Sequence, residues 1–484
     1  MDSLRLTLAL LLPWLAGIAW MRIVWMQPSA NGTARANWPL IVGYGYLLGM
    51  LGVTLVLRAM DAVGLLTAFW PPLLIVTAIL AAALAVGRRR LLPQWSIREA
   101  FRSLPPWQRW VFTLLLGLLA IRLASLGIEV SLRPVYPVDA ITAWTNRARI
   151  WFETATLATP LTDEVGWWSE SLEGAYRTSG RPYPMTVPLI QLWSAAALGY
   201  WDDSLINIPW LLCWIALGMA FYGHARLAGI PALVTMSFTY LFLSLPLFNA
   251  HTALAGYADL WLAAVFGMTS LSFFLWIRTR DRSHAAIALV LACAMIAIKK
   301  PGFMWLAPLF VAWLAAIMPM RWFLGVFGGI LAGLAVVMMA GGIEWTIPGL
   351  GTIAIAPNEI RLPRFGAFRV LLAPPLWDTQ MVHLFVLDNW HLAWMLIVAA
   401  IVVSLPMTRY SRDLQPMVVL VLSCIALYGF IFFFTRQWTM LEIGTLNNRV
   451  MLQMIPTLMF FTLLVGYRAC IWWGSPRRTT ATHP

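Results

Sequence analysis

The sequence predicts an all-α, polytopic membrane protein, and three observations support that reading. Of the 484 residues, 61% are hydrophobic and only 11% are charged, more apolar surface than a water-soluble fold can hide. The apolar residues come in continuous runs of about 20 rather than in the alternation of a membrane β-barrel, and helices satisfy their own backbone hydrogen bonds within lipid. The arginines gather at the ends of these runs, which is how cytoplasmic loops are marked. That placement accounts for the net charge of +13, so no nucleic acid is expected as a partner.

The first four spans are expected at about residues 5 to 26, 40 to 58, 63 to 87 and 109 to 128. The first is too long for a typical signal-peptide core and reads as an uncleaved span. Arg88, Arg89, Arg90, Arg98, Arg102 and Arg109 make the most basic loop, which fixes it inside and puts the next loop outside. That outer loop includes the stretch from Arg133 to Glu153, where the working end of the protein is expected, and further along it Asp163, Glu164, Glu170 and Glu173. Within it Ala140, Ile141, Trp144, Ala148, Trp151 and Phe152 recur at helical spacing, with Asn146, Arg147 and Arg149 on the other faces. Such a helix is built to lie on a membrane surface, with Asp139 at its start. Residues 185 to 199 follow two close prolines and give only about 15 apolar residues, so they read as an interfacial or re-entrant helix.

Further spans are expected at about residues 205 to 222, 231 to 250, 257 to 277, 284 to 298, 303 to 319 and 322 to 343, and then at 386 to 405, 415 to 434 and 449 to 473. The total is about thirteen, with the N-terminus outside. The chain thus divides into N-terminal spans (1–128), an extracytoplasmic catalytic loop (129–200), a transmembrane core (201–343), a second extracytoplasmic loop (344–385) and C-terminal spans with a short cytoplasmic tail (386–484). The second loop has four prolines between Pro357 and Pro375, with Arg361, Arg364, Arg369 and Asp378, and reads as a lid or acceptor-binding loop. Cys213, Cys293, Cys424 and Cys470 stand singly, with no CxxC and no metal-ligand spacing, as packing residues do.

On the expected outer face stand Asp139, Asp259, Lys299, Lys300 and Arg449. Asp139 could cap its helix or act as a base, and the two roles are compatible. Asp259 at the start of a span is also favoured by the helix dipole, the lysines could snorkel to the interface, and Arg449 has Glu442 as a nearby partner. Together, two carboxylates and several cations suit transfer from a phosphate-linked donor. A carboxylate takes the proton of an acceptor hydroxyl, and cations stabilise the departing phosphate. No Walker loop, HExxH, GxSxG or paired CxxC is present in the sequence.

At these residues the chain resembles the GT-C-fold glycosyltransferases, which use polyprenyl-phosphate sugars and include the protein mannosyltransferases and aminoarabinose transferases. The resemblance runs from about Pro137 to Pro456 through PVDAITAWTNRARIWFE, RPYPMTVPLIQLW, GYADLWLAAVF, IAIKKPGFMWLAP and GTLNNRVMLQMIP. It implies Asp139 as catalytic base and Asp259 as a second catalytic carboxylate near donor phosphate or metal. It also implies Lys299, Lys300 and Arg449 as the donor phosphate grip, with Trp144, Arg147, Tyr183 and Tyr257 as substrate-binding residues. The fold implied is GT-C, with amphipathic helices in a large first outer loop. The implied activity is an inverting glycosyltransferase of a cell inner membrane working on its extracytoplasmic face. Its partners would be a polyprenyl-phosphate-linked sugar, a glycan, lipid or protein acceptor, and the bilayer. A divalent cation is an open question on the sequence. The rival expectation is a transporter or flippase of lipid-linked sugars, which would need ionisable groups near mid-membrane and broken helices.

Overall fold

The computed structural model describes residues 2–25, 38–87, 101–102, 104–157, 161–162, 176–177, 183–348, 351–363, 366–374, 376–444 and 446–474. Arg88, Arg89, Arg90, Arg98, Asp163, Glu164, Glu170, Glu173 and Arg364 lie outside the described residues. The chain is a mostly helical, polytopic membrane protein. Among the described residues, ten helices are long and apolar enough to cross a bilayer.

The N-terminal helices α1 (Asp2–Trp25), α2 (Trp38–Asp61) and α3 (Trp70–Gly87) pack on one another. They are followed by α4 (Pro106–Leu132), which buries only Leu126 and Val130 and, apart from Arg109, Arg122 and Glu129, is mostly apolar around its circumference, as suits a lipid-facing helix. In the loop that follows, Ala140–Thr145 is a π-helical turn leading into α5 (Asn146–Thr154). The apolar face of this segment does not lie on lipid. Trp144, Ala148 and Trp151 are buried, and α5 packs against α6 (Thr186–Leu198), all 13 of whose residues are buried. The expected surface helix is therefore docked on protein, because α6 offers an apolar face at the depth where membrane would otherwise be.

Next come α7 (Ile208–Leu227), then α8 (Ala232–Leu243) and α9 (Pro246–Ala253), a pair bent by 61° that counts as an eleventh span if taken together. Leu245–Pro246 makes the break, since proline cannot donate to the preceding turn. The central helix is α10 (Asp259–Thr279), with 18 of its 21 residues buried. It is followed by α11 (Arg282–Ile298), α12 (Leu306–Ile317) and α13 (Met320–Met339), the last nearly all exposed like α4.

The segment expected as an irregular outer loop contains a four-stranded antiparallel meander, which departs from an all-α fold. Its strands are β3 (Ile343–Ile347), β4 (Gly351–Ala356), β5 (Glu359–Leu362) and β6 (Gly366–Arg369), after a two-residue parallel pair, β1 (Leu161–Thr162) and β2 (Tyr176–Arg177), in the first loop. Short β-branched stretches such as GTIAIA, too brief for a helix, favour this pairing. Glu344 sits in β3, and Asp378 in the short α14 (Trp377–Met381).

The chain closes with α15 (Ala393–Met407), α16 (Leu414–Phe433), α17 (Trp438–Ile443) and α18 (Leu446–Gly474). Two segments expected to span, α11 and α15, have 17 and 15 residues, below the length that qualifies the other ten. The long α18 packs against α10, and Gly267 permits that contact, since a Cβ there would stand 2.6 Å from Pro456 Cβ. At the opposite end of these helices from Asp259, Arg468 donates to Asp413 at 2.5 Å and to Ser411 at 2.9 Å, with Arg278 3.7 Å from the same carboxylate.

Candidate functional site

Five segments, spread over about 310 residues of sequence, come together near the end of α10 and α18. Asp139 has helical backbone angles and makes no capping hydrogen bond, so the capping role is not what the side chain does. Its Oδ2 instead receives a 2.6 Å hydrogen bond from Arg449 Nη1. The π-turn directly after it inserts extra backbone into the helix, a device that re-aims side chains and recurs at functional sites. The Asp139 side chain is 53% exposed and the Arg449 side chain 19%. Asp139 Oδ1 makes no hydrogen bond among the described residues, leaving it open to a ligand.

Arg449 is held on three sides. Besides Asp139, its Nη2 donates to Tyr257 Oη at 3.1 Å, and its guanidinium carbon lies 4.4 Å from the centre of that ring. It takes Asp139, not Glu442, as its carboxylate. Tyr257 is fixed in turn through its carbonyl, which accepts from Trp210 Nε1 at 2.7 Å. Gly256, at φ 101°, lets the chain turn there, and a Cβ would stand 3.1 Å from Ala140 Cβ.

One turn below, Asp259 is fully buried. Its Oδ1 accepts from Lys299 Nζ at 2.7 Å and from Gln453 Nε2 at 2.7 Å, and Gln453 Oε1 accepts from Trp305 Nε1 at 2.8 Å. Gln453 lies four residues after Arg449 on the same face of α18, so one helix grips both carboxylates. The buried pair is supported on one carboxylate oxygen by two donors, the Lys299 ammonium and the Gln453 amide. Asp259 Oδ2, though buried, has no hydrogen-bond partner among the described residues, and His251, tilted against Tyr257 with ring centres 5.3 Å apart, leaves Nδ1 likewise without one.

The two adjacent lysines divide. Lys299 is buried on Asp259, whereas Lys300 is partly exposed, has no carboxylate partner among the described residues, and places Nζ 5.9 Å from the Tyr183 ring. Tyr183 also packs on Trp144, with ring centres 4.8 Å apart. Burial raises its phenol pKa, and the Asp139 and Asp259 carboxylates add to that against the lowering effect of Arg449. Burial likewise raises Tyr257, against the lowering effect of Arg449.

Of the residues singled out in the sequence, Asp139, Arg449 and Tyr257 thus meet in one cluster, and Lys300 lies beside Tyr183, next in the chain to the lysine that holds Asp259. Asp259 and Lys299 lie beneath that cluster as a buried support. Trp144 is buried against Tyr183, and Arg147 donates at 2.7 Å to the Tyr183 carbonyl and lies 4.7 Å from the Trp151 ring, so both contact Tyr183. Burial, then the Arg58 charge, lowers Arg147 to about 10. Gln453, Trp305 and His251 were not singled out, although a glutamine one turn after an arginine in an apolar helix was a usable signal.

Each carboxylate already has its own cation, and among the described residues no group of three or more His, Cys, Asp or Glu side chains gathers as ligands. No family model, curated protein or solved structure shows a significant match to this chain.

Proposed function

We propose that this protein is a membrane glycosyltransferase of GT-C type, moving one sugar from a polyprenyl-phosphate donor to a hydroxyl of an extracytoplasmic glycan, lipid or protein. The observation that supports it most is the half-exposed Asp139 carboxylate, with one oxygen held by Arg449 and the other without a hydrogen bond among the described residues. Asp139 Oδ1 accepts the proton of the acceptor hydroxyl, whose oxygen bonds to the anomeric carbon as the bond from that carbon to the phosphate oxygen breaks. The phosphate leaves with the electron pair, and Lys300 and Arg449 meet its charge. Attack opposite the leaving group inverts the anomeric carbon. Asp259 and Lys299 position this machinery by fixing the floor through Gln453. The extracytoplasmic assignment is supported by Arg278, Arg280 and Arg282 at the far end of α10, about 30 Å from Asp259 by helix rise.

The test is transfer by purified protein in nanodiscs, over a panel of polyprenyl-phosphate sugars, with Asp139→Asn alongside and with EDTA present or absent. Release of polyprenyl phosphate by the wild type, and not by the variant, is expected, and EDTA is expected to leave it unchanged. The bent α8–α9 pair favours a second reading, a flippase of lipid-linked sugar, because broken helices accompany transport paths. Labelled lipid-linked sugar reaching the other leaflet without a new glycosidic bond selects that reading.

A further inference from the structure

We infer that the junction between β6 and the end of α16 forms a binding site for an anionic amphiphile, its hydrocarbon chain in an apolar cavity and its phosphate or carboxylate head on Arg369 and Arg436. The two cavities that form it share no lining residue with the Asp139–Arg449 centre, and the inference does not depend on the transferase reading.

The chain leaving β6 runs along the end of α16. Val370 bridges Thr435, Leu371 N donates to Phe434 O at 3.2 Å, and Ala373 N donates to Phe433 O at 2.9 Å. Two cavities adjoin this seam. One, of about 590 Å³, is bounded by Leu372, Trp377, Leu384, Trp394, Ile425 and Phe433, and its volume is that of a small-molecule site. Of the polar groups in its wall, the Tyr428 hydroxyl lies 2.8 Å from Gln380 Oε1 and also meets Asn447 Oδ1, and Trp394 Nε1 is buried without a hydrogen-bond partner among the described residues. What remains to line the space is apolar. Leu372 and Trp377, 75% and 59% exposed, give it an apolar mouth.

The second cavity, of about 310 Å³, is lined by Arg369, Thr435, Arg436, Gln437 and Thr439. Both arginines are exposed, and among the described residues neither has a carboxylate partner or a side-chain hydrogen bond. Two guanidinium groups facing one cavity repel unless an anion lies between them, and their forked donors suit phosphate or carboxylate oxygens. The apolar and cationic spaces are offset by only a few residues on both chains, from Leu372 to Arg369 and from Phe434 to Arg436. That juxtaposition matches a molecule with a charged head joined to a hydrocarbon chain, presented at the depth where helix ends meet lipid headgroups.

The experiment uses the full-length protein in nanodiscs containing photoactivatable phosphatidylglycerol or phosphatidylcholine with identical chains, with cross-links mapped by mass spectrometry. The anionic lipid is expected to label the cavity around Trp377 and Phe433 about ten-fold more than the zwitterionic one, the discrimination that charge-assisted contacts supply. The Arg369→Gln/Arg436→Gln double variant is expected to fold normally, both side chains being exposed, and to lose that difference. Equal labelling by the two lipids, or labelling by the anionic lipid that the double substitution leaves unchanged, overturns the inference. Inorganic phosphate serves as the head-only arm. Phosphate that binds lipid-free protein as tightly as the lipid does, and displaces the label, assigns the arginines to a free anion and also overturns it, whereas persistence of the label in millimolar phosphate supports it.

Discussion

Arg449 Nη1 lies 2.6 Å from Asp139 Oδ2, an ion pair between residues 310 apart in the chain. It joins the first outer loop to the last helix, and Tyr257 beneath the guanidinium fixes its direction. Because the same arginine faces the space where a donor phosphate would sit, it links the expected base to the expected leaving group.

Replacing Asp139 with Asn keeps an acceptor for Arg449 and removes the base. Sugar transfer is expected to fall by about two to four orders of magnitude. The melting temperature is expected to change little, since a half-exposed ion pair contributes about 1 kcal/mol or less. Near-normal release of polyprenyl phosphate by this variant would end the assignment of Asp139 as base.

The buried pair beneath behaves oppositely. Asp259→Leu or Lys299→Met alone leaves one charge uncompensated among apolar side chains and is expected to cost about 3–5 kcal/mol. The double variant is expected to recover most of that loss. Thermal unfolding in detergent checks both, and a double variant no more stable than either single one refutes the pair's described role.

Lys300→Gln removes a cation that no carboxylate of the described residues holds, so folding is expected to be unaffected. KM for the lipid-linked donor is expected to rise about ten-fold, the loss of one charge-assisted contact. Steady-state kinetics beside a thermal melt separate this from Lys299→Met, which should lose stability first.

A pH dependence is expected at the other end of the molecule. Burial pushes the Asp413 carboxyl up, but the hydrogen bonds and charge of Arg468, with Ser411 and Arg278, outweigh it and hold the group below its ordinary value. Its folded pKa is therefore lower than its unfolded one. The resulting stability is fully present above the unfolded value and is lost as pH falls through the folded one, below roughly pH 4. Asp413→Asn should flatten that acid limb, and melting curves across acid pH measure it.

The residues of the candidate site were visible because ionisable groups in apolar runs stand out. Their partners were not. The pairing of Asp259 with Lys299 and Gln453 spans 40 and 194 residues, and the choice of Asp139 over Glu442 by Arg449 spans 310. Nor did the pattern of Trp144, Ala148 and Trp151 tell whether their face met lipid or helix α6, since both present the same apolar surface. The meander at residues 343–369 was hidden because its strands have only four to six residues each.

What the sequence determined by itself was therefore local. Runs of apolar residues as long as a bilayer is thick make a polytopic helical membrane protein, whatever the helices later touch. The tertiary structure alone decided which charge neutralises which, which of the two lysines is buried on Asp259, and that Asp139 reaches an arginine instead of its own backbone. Those outcomes depend on the rotation and approach of helices about one another, as where Gly267 admits Pro456 and brings Gln453 to Asp259, and no periodicity along the chain encodes that distance.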